Sequence, residues 1–172
     1  METIKNIPQE TLENPLLKSA ESLRAQSKDT EEFVRAIGKF IRRHADTVPN
    51  PYVPATIVES RFMPTDEAFK KGVLTCGSLS NISAEMLRHV GYKVKLVHGE
   101  CEQSVDHAWI SVFVPEKSAW VEYDLAFKDA TITPFHIKKA EVDSWEEIRG
   151  QVESDHETLR ERRRDRGLKE EF

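Results

Sequence analysis

The chain has 172 residues, 38% of them hydrophobic and 32% charged, the composition of a polar globule with enough buried surface to need no disulfide framework or metal staple. Its 25 basic and 30 acidic residues leave a net charge of −5, the wrong balance for a dedicated nucleic-acid binder, whose affinity comes from cations facing phosphates. No apolar run approaches the roughly 20 residues that cross a bilayer, and Met1 to Pro8 lack the apolar centre of a secretory signal.

Two cysteines, Cys76 and Cys101, suit a reducing compartment. The expectation is one domain over residues 1–172, cytoplasmic, without cofactor, nucleic-acid or membrane partner. Its core is expected over about 29–137 and a C-terminal helix over about 144–165.

Taken in order, Asn14-Pro15 is a helix start, followed by an apolar stripe of Leu16, Leu17, Ala20 and Leu23. Asp29 with Glu32 opens a second helix whose Phe33, Val34, Ile37, Phe40 and Ile41 recur at helical spacing. That helix ends before Pro49, and the proline-rich stretch to Pro64 reads as a connector. A short helix follows Thr65 and stops at Gly72. Leu79, Ile82, Met86, Leu87 and Val90 then share one helical face, with Gly91 as terminator and Cys76 at the N-terminus.

Beyond Gly91 the period changes to two. Val94, Leu96 and His98 mark one strand, Ala108, Ile110, Val112 and Val114 a second, and Ala119 to Phe127 a third. Pro115 to Ser118 is the turn between the last two. Thr131 to Ile137 offers a fourth strand, which Pro134 confines to an edge or a bulge. Ser144 with Glu147 caps a final helix carrying Trp145, Ile148, Val152 and Leu159, and the charged end from Arg160 to Phe172 is expected to fray.

A reactive cysteine needs its thiolate stabilised, and a helix N-terminus supplies partial positive charge. Cys76 meets that condition. It also needs a histidine as base, oriented by a third group. An even-numbered turn that pairs Val114 with Ala119 puts Asp124 opposite Trp109, so His107 and Asp124 become diagonal neighbours on one sheet face. A helix packed on that face would bring Cys76 to them.

Thr-Cys-Gly-Ser-Leu-Ser at a helix start, His-Ala-Trp-Ile-Ser-Val on one strand and Trp-Val-Glu-Tyr-Asp on the next together resemble the transglutaminase-like superfamily, over about Asp29 to Phe127. The resemblance implies an α+β, papain-like fold: N-terminal helices and a central helix bearing the cysteine, packed on an antiparallel sheet. It implies Cys76 as nucleophile, His107 as base and acid, and Asp124 as the orienting residue. The activity implied is acyl transfer through a thioester, on a peptide or other amide-containing substrate. Hydrolysis of an amide or isopeptide is the leading expectation. Transfer to an amine, as in a protein-glutamine γ-glutamyltransferase, and a non-catalytic binding module are the alternatives. The Cys76 backbone N–H is one expected oxyanion donor; the second is not assigned.

The remaining candidates have blander roles. Trp109 and Trp120 are expected mainly as core, with Trp109 a candidate wall of the substrate groove. Cys101 is expected as a half-buried thiol, since no Cys-x-x-Cys accompanies it to make a metal site. His44, His89, His136 and His156 are read as ordinary surface or core histidines, and the arginine-rich run from Arg160 to Arg166 as a solvated face.

Overall fold

Residues 14–102 and 104–167 are described by a computed structural model; Met1 to Pro8 and residues 168–172 lie outside the described residues. Helices α1 (Pro15–Gln26) and α2 (Thr30–Thr47) start where their caps require. The Asn14 side chain accepts the Leu16 N–H, and that of Asp29 accepts the Glu32 N–H. Helix α4 (Thr65–Lys70) ends before Gly72, whose φ of +66° suits a residue without Cβ.

The expected connector before α4 holds a helix, α3 (Ile57–Phe62), started by Thr56. Its buried residues include Ser60 and Arg61, so no apolar stripe announces it.

Helix α5 (Cys76–His89) is central, packed on α1, α2, α3, α4 and the strands β1 (Val94–Cys101) and β2 (Ser104–Val114). With β3 (Ala119–Tyr123) and β4 (Ile137–Val142) these form an antiparallel sheet of order β3-β2-β1-β4. Val114 pairs with Ala119 and Ile110 with Tyr123, the register the sequence predicts. The third strand stops at Tyr123, four residues early.

The expected strand at 131–137 is instead a turn. Thr133 accepts a backbone hydrogen bond from His136, Pro134 occupies the bend, and β4 begins only at Ile137. After a 3-10 turn at Trp145–Ile148, α6 (Arg149–Asp165) continues as regular helix through Arg160 to Arg164, where fraying was expected.

The core joins Leu16, Phe33, Val34, Ile37 and Ile41 to Ile82, Met86 and Leu87 of α5 and to one face of the sheet, with Val94, Leu96, Ala108, Ile110, Val112 and Tyr123. His107 and Trp109 alternate with those β2 residues and so point to the other face. The segment after β3 is held by the Arg42 guanidinium of α2, which donates to the Leu125 and Phe127 carbonyls. Among the described residues no helix is long and apolar enough to cross a membrane.

Candidate active site

Cys76 is the first residue of α5. Thr75 and Ser78 exchange hydrogen bonds in a capping box, Ser78 N–H to Thr75 Oγ1 at 3.1 Å and Thr75 N–H to Ser78 Oγ at 2.9 Å. The first turn of a helix leaves N–H groups without helical acceptors, and their partial charge favours an anion there. Gly77 lets α3 approach this turn: a Cβ at that position would lie 2.6 Å from Arg61 Cγ and 3.3 Å from Arg61 Cα.

The Arg61 side chain is fully buried and paired with the equally buried Asp106. It also donates to His98 Nδ1 at 2.7 Å. A guanidinium has donors only, so His98 carries its proton on Nε2 and gives it to Asp155 Oδ2 at 2.8 Å.

Asp124 follows the end of β3 and is completely buried. Its Oδ1 accepts the Ala126 N–H at 2.9 Å. Its Oδ2 faces His107 Nε2 at 2.6 Å and His136 Nε2 at 2.8 Å. With Nε2 of His107 committed to Asp124, Nδ1 is left for Cys76, whose thiol lies close enough to the ring for each to shift the other's titration.

Burial pushes the Cys76 thiol up, but His107 and the Arg61 charge outweigh it, and the net shift is downward from the ordinary thiol range. Burial acts on His107 in the opposite sense to its partners. Asp124 and Cys76 prevail and raise it to about 10. Both shifts favour a thiolate–imidazolium pair.

His107, Asp124 and His136 bring three potential ligand atoms within 4.8 Å of one another. The donor set nonetheless does not suit a metal. The Thr133 N–H donates to His136 Nδ1 at 3.1 Å, which places the ring proton on Nε2, where a metal would need a lone pair.

The Transglutaminase-like superfamily matches residues 18–125, a span that contains Cys76, His107 and Asp124. The chain belongs to the transglutaminase-like superfamily. A crystal structure of a TGase has the same fold at 17% sequence identity, with a TM-score of 0.51 over 84% of this chain and 39% of that one. The present chain therefore spans well under half of that protein. The comparison with curated proteins gives no significant match.

In this transglutaminase-like chain the three expected residues meet, but by a different approach. The apolar stripe of α5 packs on the sheet face opposite His107, and only the first turn of the helix reaches the imidazole. Trp109 is not a groove wall: it is 0% exposed, 5.9 Å from the His107 ring, and its indole N–H donates to Glu122 Oε2 at 2.9 Å. Trp120 is exposed and packs on Phe113. Cys101 is a free, half-buried thiol.

His44 stacks on Phe69, and His89 meets Glu21 at 2.8 Å. His156 is buried. The His136 side chain is buried, its Nε2 2.8 Å from Asp124 Oδ2. Sequence reasoning also missed Arg61, Asp106 and the role of His98. Two local signals were available for these residues: Gly directly after the cysteine, which marks a close approach, and Asp directly before the histidine.

Proposed function

We propose that the chain is a cysteine-dependent acyl-transfer enzyme that hydrolyses an amide or isopeptide bond through a thioester on Cys76. The observation that carries this reading is the buried His107–Asp124 pair at 2.6 Å, with the Cys76 thiol beside that imidazole at the start of α5. A thiolate beside an imidazolium whose far nitrogen is held by a carboxylate is what nucleophilic catalysis by cysteine requires.

The Cys76 sulfur attacks the substrate carbonyl carbon, and the carbonyl π electrons move to oxygen. The Cys76 backbone N–H, in the first turn of α5, is one donor to that oxyanion. As the tetrahedral intermediate collapses, the C–N bond breaks and the amine leaves with the proton from His107 Nδ1. Water then adds to the thioester as His107 takes its proton. The C–S bond breaks to give the carboxylic acid and the thiolate–imidazolium pair. Asp124 stays a carboxylate throughout and keeps the ring in one orientation.

Transfer to an amine shares every step to the thioester, and only the acceptor differs. Incubation with glutamine-containing peptides, followed by intact-mass measurement, tests both. Hydrolysis converts glutamine to glutamate without added amine, transfer needs a primary amine and leaves it on the peptide, and in either case Cys76→Ala abolishes the covalent adduct. Turnover that survives Cys76→Ala would overturn the proposal, and a wild-type protein that forms no adduct with any acyl donor would favour a binding module.

A further inference from the structure

His136 lies outside the span that matches the family, and the reaction just described calls for no second imidazole. Its side chain is nevertheless 1% exposed, with both nitrogens committed. The Thr133 backbone N–H can only donate, so His136 Nδ1 is the acceptor and the neutral ring holds its proton on Nε2. That proton is directed at Asp124 Oδ2. The ring is further held edge-on against Trp109 at 5.2 Å and against Phe127 at 5.7 Å.

The consequence falls on the Asp124 carboxylate. One donor on one oxygen leaves a carboxylate free to turn about its side-chain bond. Here the Ala126 N–H holds Oδ1 while His136 holds Oδ2, which fixes the carboxylate plane. The remaining approach to Oδ2 is the one His107 Nε2 takes at 2.6 Å.

The chain itself is shaped to bring His136 there. Gly99 of β1 lies where a Cβ would meet the Ile137 carbonyl oxygen at 2.2 Å and the Trp109 ring at 2.6 Å. Its missing side chain lets the His136–Ile137 segment close onto the sheet.

We propose that His136 is a positioning residue of this site: a neutral imidazole, locked with its proton on Nε2, that fixes the plane of Asp124 and through it aims His107 at Cys76. The inference rests on the acyl-transfer reading, and the following experiment separates the two. The rate of Cys76 carbamidomethylation by iodoacetamide is followed across pH by peptide mass, which resolves Cys76 from Cys101. The wild type is compared with His136→Phe, which keeps the ring contacts and loses the donor, and with His136→Gln, which loses the ring and offers an N–H.

In His136→Phe the midpoint should rise by about one pH unit, a tenfold loss of thiolate below it, and His136→Gln should recover at least half of that shift. Superimposed His136→Phe and wild-type profiles would overturn the proposal, as would equal shifts in the two variants, which would assign the effect to packing. A wild-type thiol titrating like free cysteine would instead overturn the acyl-transfer reading, and with it the site that His136 serves. Nitrogen-15 shifts of the His136 ring in the unmodified protein supply a check that needs no variant to fold. They should show protonated Nε2 and bare Nδ1, and the reverse tautomer contradicts the proposal.

Discussion

At Cys76 burial and charge pull in opposite directions, and which prevails decides whether the sulfur is inert. Burial disfavours the thiolate, whereas His107 and Arg61 favour it and prevail. Because the imidazole is raised to about 10, the ion pair persists up to that pH. Acyl transfer should therefore rise on an acidic limb below the ordinary thiol range and fall as pH passes through about 10, where His107 loses the proton owed to the leaving amine. A pH–rate profile checks this, and a basic limb near neutrality would contradict it.

Asp124→Asn should lower kcat on the order of ten-thousandfold with little change in KM, the scale expected when the acceptor that sets a catalytic imidazole's tautomer is lost. Steady-state kinetics read both constants. The three residues were legible in the sequence because a helix start, strand alternation and a four-residue turn are local signals. His136 was not, since its partner lies twelve residues away across an irregular segment that no periodicity describes.

At the scale of elements, the pairing of β2 with β3 was readable from the sequence, and β4 was not. Alternation in Val112-Phe113-Val114 and the Pro115 turn force one register. In β4, Ile137-Lys138-Lys139-Ala140-Glu141-Val142 is largely exposed and polar, so its pairing with β1 rests on backbone hydrogen bonds and on the close approach at Gly99.

Helix α3 escaped for a related reason, because Ser60 and Arg61 form its buried face. Its contact with α5 leads to a direct prediction. Gly77→Ala inserts a methyl group against Arg61, which should cost about 1–3 kcal/mol by overpacking and move the guanidinium away from the sulfur. Urea unfolding reads the first effect and slower alkylation of Cys76 near neutral pH the second; an unchanged midpoint and rate would refute the packing argument.

Across the whole molecule, a line of charged and polar groups ties α3 and α6 to the sheet. Asp106 of β2 pairs with Arg61 of α3, Arg61 donates to His98 of β1, and His98 donates to Asp155 of α6. Asp155 in turn meets Lys139 of β4 at 3.0 Å. Removing one member of a buried pair strands the other charge, so Asp106→Ala should lose about 3–5 kcal/mol, measured by denaturant unfolding.

Burial and the Arg61 charge hold His98 below its ordinary 6.5, so the folded state carries it neutral. Protonation of the unfolded chain then erodes its contribution to stability as pH falls below about 6.5. His98→Gln should flatten that acid dependence. None of this line shows in periodicity, since each partner comes from a different element and sequence patterns report faces rather than meetings.

If Cys76, His107 and Asp124 act as one proton-passing unit, the pH dependence of iodoacetamide reaction at Cys76 must differ between wild type and His107→Gln. The wild-type midpoint should lie below the roughly 8.5 of a free thiol and return to that value or above it once the imidazole is gone. Two coincident profiles at the ordinary thiol value would contradict it.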